Sequence, residues 1–117
     1  MDNTKEHIIR SAANILPEVI RIRRHLHMHP ELSYRENATS AFIKNYLDNL
    51  GIEHLSGIAG TGIVGIIRGT HTGKGKTIGL RADMDALPVT EAEGREYGSR
   101  TEGVMHACGH DSHVAML

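Results

Sequence analysis

Gly51 divides this sequence into two textures, and that division constrains the fold more than any other feature. Before it, apolar residues recur at a three/four spacing: Ile8, Ile9, Ala12, Ile15, Leu16, Val19, Ile22 and Leu26, then Ala38, Ala41, Phe42, Leu47 and Leu50. That is the period of one helix face. Beyond Gly51 the apolar runs are short, β-branched and bounded by glycine, which is the pattern of strands. Helices and strands interspersed in this way, with no internal repeat, predict an α/β fold. The expected order is two helices, then strands, then the start of a third helix over 112–117.

Local punctuation refines this. Pro17 predicts a kink or a restart in the first helix, with Pro17 in a first turn. His29-Pro30 ends that helix, because a residue before proline avoids the helical region. Ser33-Tyr34-Arg35-Glu36 has the capping-box pattern, and Gly51 stands where a left-handed C-terminal cap belongs. Residues 52–55 predict a short strand. Residues 62–68 and 77–84 predict two more, joined into a hairpin by the Gly-rich turn at 70–76. Residues 86–102 read as irregular and polar.

The chain's 117 residues suit one domain. With three Tyr, one Phe and no Trp, its core must be built mostly from Ile, Leu, Val and Ala. A formal charge of −1 gives no general attraction to nucleic acid or to an anionic membrane surface. No apolar run approaches the roughly 20 residues of a membrane span, and the N-terminus has no secretory pattern. One cysteine cannot form an internal disulfide, so the expected compartment is the cytoplasm. Nine histidines accompany it. His7, His54 and His71 read as solvated, whereas the other six cluster at 25–29 and 106–113.

Four stretches are candidate sites. Gly60-Thr61-Gly62-Ile63-Val64-Gly65 matches G-x-G-x-x-G, but the residues after it are β-branched rather than helix-forming, so these glycines read as shaping a loop and a strand. His25, His27 and His29 lie beside Pro30, and packing or hydrogen bonding near a helix end is their expected role. Arg81-Ala82-Asp83-Met84-Asp85-Ala86-Leu87-Pro88 puts two carboxylates on one side of a strand end. Their repulsion calls for a cation, either Arg81 or a metal site with its histidines, and a strand end with solvated acids is the competing reading.

His106-Ala107-Cys108-Gly109-His110-Asp111-Ser112-His113 is the sharpest feature. Thiolate and neutral imidazole are favoured ligands of a borderline-soft divalent ion, and Gly109 leaves Cys108 and His110 free to turn toward one centre. His106 and His113 are neighbours of such a centre. A Cys108 nucleophile with a nearby histidine base and an inert buried Cys108 are the competing readings.

Three of these stretches, the run from Arg23 to Ser33, the run from Arg81 to Pro88 and the run from His106 to His113, occur in an order that resembles the beginning of a known family. These are the metal-dependent amidohydrolases of metallopeptidase family twenty, subfamily D, which include hippurate hydrolase, N-acyl-amino-acid deacylases and auxin-conjugate hydrolases. The resemblance covers residues 15–117. It implies a zinc-peptidase-like α/β catalytic domain, of which residues 1–117 are an incomplete N-terminal portion, lacking a smaller inserted domain that makes the parent a homodimer. It implies two divalent metal ions, zinc or manganese with cobalt or nickel as alternatives, and hydrolysis of N-acyl amino acids or related amides. Cys108 and His110 match the first two metal ligands, and Asp85 matches an acid that supports the centre from behind its ligands. Asp83 is not assigned. The family's remaining ligands and its general-base Glu fall beyond Leu117, and Glu91, Glu93 and Glu96 match none of them. Two functions are therefore expected in competition: an amidohydrolase represented by its first portion, or a non-catalytic remnant that binds metal weakly.

Overall fold

The computed structural model describes residues 3–70, 72–73 and 75–117. Helix α1 spans Asn3–Met28 and α2 spans Asn37–Asn49. Strands β1 (Glu53–Ile58) and β2 (Gly62–Ile66) come next, and α3 (His110–Met116) is the last element. The α/β expectation therefore holds. Among the described residues no helix is long and apolar enough to cross a membrane.

Helix α1 runs through Pro17 without a second start, which corrects the expected restart with Pro17 in a first turn. Proline deprives the carbonyl of Ala13 of its intrahelical partner, but that turn is exposed, so the carbonyl is open to solvent. Only the C-terminal part of the stripe is packed. Ile22 and Leu26 are buried with Ala115 of α3, and Val19, Phe42, Tyr46 and Val114 pack around them. Ile8, Ile9, Ile15 and Leu16, on the same helix, are exposed. The whole chain exposes 8944 Å². A closed domain of this mass exposes about 6,300 Å².

The start of α2 departs from its sequence pattern. Ser33 and Tyr34 form a turn, with Tyr34 at φ 63°, and Glu36 occupies the cap position without a side-chain cap bond. Glu31 supplies the cap instead. Its carboxylate accepts the amides of Ala38 at 3.0 Å and Thr39 at 2.6 Å. The other end is as expected. Gly51 takes φ 66°, its amide reaches the Asp48 carbonyl, and the Ile52 amide reaches Leu47. These are the two bonds of a Schellman cap.

The hairpin pairs different strands from those expected. β1 and β2 are antiparallel, from Glu53 opposite Ile66 to Ile58 opposite Gly62, with a bulge at Gly57. Residues 77–84 carry no strand, and His71 and Lys74 of the expected turn lie outside the described residues. Ala59 and Gly60 make the actual turn with positive φ, and a Cβ on Gly62 would sit 2.7 Å from the Ile58 carbonyl oxygen. A three-residue connection closes with less entropy loss than the longer one at 70–76. Gly60, Gly62 and Gly65 thus shape the hairpin, as their context predicted, and α2 packs across it.

Three extended segments outside the hairpin frame the last helix. Leu32 bridges Ala86 in parallel, and Leu87 bridges Met105 in antiparallel sense. The amide of Ala86 donates to the Glu31 carbonyl at 2.8 Å, and Leu87 and Met105 exchange both of their backbone bonds. This brings residues from three distant parts of the chain to the start of α3.

Candidate metal centre

The chain enters α3 through Gly109 at φ 98°, a conformation open to glycine at little cost. His110 opens the helix and turns toward Asp85. Its Nδ1 lies 2.9 Å from the Asp85 carbonyl oxygen and 3.0 Å from Asp85 Oδ1. Both atoms act as acceptors here, so Nδ1 carries the hydrogen and Nε2 is the ring nitrogen left for a ligand. This is how a carboxylate commonly prepares an imidazole for a metal ion. Cys108 is a free, exposed thiol, two residues before His110. Asp83 takes a different partner, Arg81. The two carboxylates of the 81–88 run thus part company: Arg81 serves Asp83, and His110 serves Asp85.

Behind the Cys108–His110 segment lies a buried polar network. His27, 2% exposed, sits between Asp111 and Glu91. Its Nδ1 is 2.8 Å from Asp111 Oδ2, and its Nε2 is 2.9 Å from Glu91 Oε1. Each ring nitrogen thus lies within hydrogen-bond distance of a carboxylate oxygen. Arg23, one turn earlier on α1, also reaches Asp111 Oδ2 at 3.3 Å. Burial pushes the Asp111 carboxyl up, but the hydrogen bonds from His27 and the Ser112 amide, with the charges of His106 and Arg23, hold it below its ordinary value. Glu91 is lowered in the same way. Burial opposes it, and the His27 bond, the Ser99 amide and the nearby Arg95 outweigh that burial. Arg23, Arg24 and Arg95 surround the Tyr97 ring within 5.6 Å.

The remaining histidines divide by environment. His25 stacks on Phe42 at 4.2 Å, and His29 Nδ1 donates to the His25 carbonyl oxygen, so the expected packing role of these two holds. His27 fits it too, as hydrogen bonding near the helix end, and its partners are two acids beside the site. His106 is buried, and neither of its ring nitrogens has a hydrogen-bond partner among the described residues. Burial lowers its pKa, as do His27 and His110, against Asp111 and Asp85, which raise it. His113 is exposed, its ring 6.2 Å from that of His110.

The donor set fits a borderline-soft divalent ion in kind: one thiol and one imidazole whose Nδ1 is already committed. It is short in number. Among the described residues no group of three or more His, Cys, Asp or Glu side chains could hold a metal, whereas a catalytic zinc site uses three protein ligands.

Residues 79–117 match the family model described as peptidase family M20/M25/M40. Over 100 residues the chain is 55% identical to thermostable carboxypeptidase 2 of Saccharolobus solfataricus, covering 85% of this chain and 25% of that one. The chain belongs to the M20/M25/M40 peptidase family. This M20 chain is also 45% identical to an N-acyl-L-amino acid amidohydrolase of Geobacillus stearothermophilus, over 97% of its own length and 30% of the relative's. It superimposes on the Bacillus subtilis YXEP protein, a dinuclear metal-binding M20 peptidase, with a TM-score of 0.78 and 42% identity, covering 85% of this chain and 27% of that one. The M20 chain therefore spans between a quarter and a third of the length of these relatives.

The sequence pattern points to Cys108, His110 and Asp85, and the structure joins two of them, His110 and Asp85. It does not point to the network of His27, Glu91 and Asp111. One signal for it exists in the i, i+4 spacing of Arg23 and His27, which puts both on one helix face.

Proposed function

We propose that this chain contributes the first metal ligands of an M20 hydrolase that cleaves the amide bond of N-acyl amino acids. The observation that carries the reading is the His110–Asp85 contact, which frees Nε2 of His110 two residues from the Cys108 thiol. The activity for which the Geobacillus relative is named supports the substrate class. Cys108 and His110 would hold one divalent ion, zinc or manganese, of a two-metal centre. When bound, such ions polarise a carbonyl and lower the pKa of a bound water. Asp85 holds the His110 ring in one tautomer and orientation, so that ligation costs no rearrangement. A free, exposed Cys108 suits a reducing compartment, and cytoplasmic placement belongs to the same proposal. Homodimerisation of a longer parent does too.

The two-ligand set and the large exposed surface favour a second reading for the 117-residue polypeptide by itself: metal binding without turnover. Two measurements separate these. The purified chain, titrated with cobalt, should develop a thiolate-to-metal absorption that Cys108→Ser removes. A chimaera carrying residues 1–117 in place of the matching portion of the Geobacillus amidohydrolase should hydrolyse N-acetyl amino acids, and should stop doing so on Cys108→Ala. An active chimaera that keeps its rate in Cys108→Ala and survives EDTA would sink the metal reading.

A further inference from the structure

Asp85 supports His110 directly, yet the best-buried polar pair among the described residues, His27 and Asp111, has no part in that ligation. Asp111 comes directly after His110 in the first turn of α3 and is 1% exposed. Every oxygen of its carboxylate is engaged: Oδ2 by His27 and Arg23, and Oδ1 by the Ser112 amide at 2.9 Å. His27 is fixed from its far side by Glu91. Glu91 is held in turn by the Ser99 amide at 2.6 Å and by Arg95 at 3.1 Å. The imidazole cannot rotate without breaking bonds on both sides.

The element on which this network acts needs holding. Helix α3 has seven residues, and Ala115 is its one fully packed side chain in the core cluster. Gly109, just before it, has open space where a side chain would lie, and its φ is positive. A short helix behind a free glycine pivots about its packed end unless its first turn is tied down. An apolar pair of the same volume would stabilise the fold as well as a buried ion pair does, and often better. What the hydrogen-bonded pair adds is direction.

We propose that His27 and Asp111 are positioning residues for the metal ligands: their bond fixes the first turn of α3 and so sets where Cys108 and His110 present their donor atoms. This rests on the metal reading of Cys108 and His110.

The test uses the two nitrogens of His27 separately. Asparagine at this position reproduces the donor at Nδ1, which faces Asp111, and glutamine the donor at Nε2, which faces Glu91. Cobalt affinity of the 117-residue chain is measured for the wild type, His27→Leu, His27→Asn and His27→Gln, alongside far-UV circular dichroism and amide exchange at Ser112 and His113. Arg21→Ala, on the exposed face of α1, is the control. His27→Leu is expected to weaken cobalt binding about tenfold or more and to speed exchange at both amides. His27→Asn recovers most of the affinity, and His27→Gln does not. Equal affinity in wild type and His27→Leu overturns the proposal, as does equivalence of the Asn and Gln variants, because a purely structural role would not distinguish them. If His27→Leu does not fold, the Asn–Gln comparison decides. If all three fail to fold, the pair is a stability element only and the proposal falls. A wild-type chain with no Cys108-dependent absorption overturns the metal reading and this inference with it. A wild-type band with unchanged variants overturns this inference alone.

Discussion

Glu31 Oε1 accepts hydrogen bonds from both the amide of Thr39, at 2.6 Å, and its hydroxyl, at 2.7 Å. The carboxylate therefore caps α2 from eight residues upstream, and its own backbone carbonyl receives the amide of Ala86. One residue ties the second helix to the segment that carries Asp85.

Removing that cap has a measurable cost. Glu31→Ala leaves two first-turn amides and a buried hydroxyl without their acceptor, and is expected to destabilise the chain by about 1–2 kcal/mol. Ser33→Ala, at the position the sequence pattern favours, should stay within about 0.5 kcal/mol of wild type. Urea midpoints for the two variants check this. A larger effect at Ser33 would restore the capping box.

The core is small, so each member matters. Leu26 is 2% exposed and packs with Ile22 and Ala115. Leu26→Ala should cost about 3 kcal/mol, in the usual range for a buried leucine. Ile9→Ala, on the exposed half of the same helix, should change stability by less than about 0.5 kcal/mol, because little burial is lost and alanine has the higher helix propensity. Equal losses at the two positions would show that the N-terminal half of α1 is packed in solution.

Acid should unfold the metal-free chain in two steps. His25 is lowered from 6.5 by burial, with His29, Arg21 and Arg100 adding to it. As pH falls below about 6.5 the unfolded chain takes the proton first, so stability declines. His106, lowered chiefly by burial, adds to that decline. Glu91 is held below 4.5, so its contribution is present above that pH and is lost as pH falls through its lower folded value. Urea midpoints measured with a chelator present should therefore be flat above about pH 7, fall below 6.5, and fall again below 4.5. His25→Phe, which preserves stacking on Phe42, should shrink the first fall. Glu91→Gln should shrink the second.

Metal binding should depend on the atoms that hold His110. Asp85→Asn keeps an acceptor on Nδ1 but removes the charge, and should weaken zinc or cobalt binding about tenfold. Asp83→Asn, paired with Arg81, should leave it unchanged. Competition with a chromophoric chelator reads both. Equal losses in the two variants would mean that the carboxylates act together, contrary to their separate partners.

Local physics settles much of this fold. The stripes of α1 and α2 come from spacing, and Gly51 caps α2 because the left-handed conformation there suits glycine. The donor pattern at Cys108 and His110 is equally legible, since its chemistry is written in residue type. The strand expected at 77–84 fails for a tertiary reason. A strand forms only where a partner presents a matching edge, and β2 found its partner in β1, three residues back along the chain.

The sequence by itself determined the helices, the C-terminal ends of the first two and the donor residue types gathered at 106–113. Tertiary structure alone decided that Glu31 rather than Ser33 caps α2, that Arg81 and His110 divide the two carboxylates, and that His27 meets Asp111 across 84 residues of chain. The reason is common to all three. A charged side chain takes the partner that burial and geometry bring to it, and burial is a property of the assembled fold, not of neighbouring residues in the sequence.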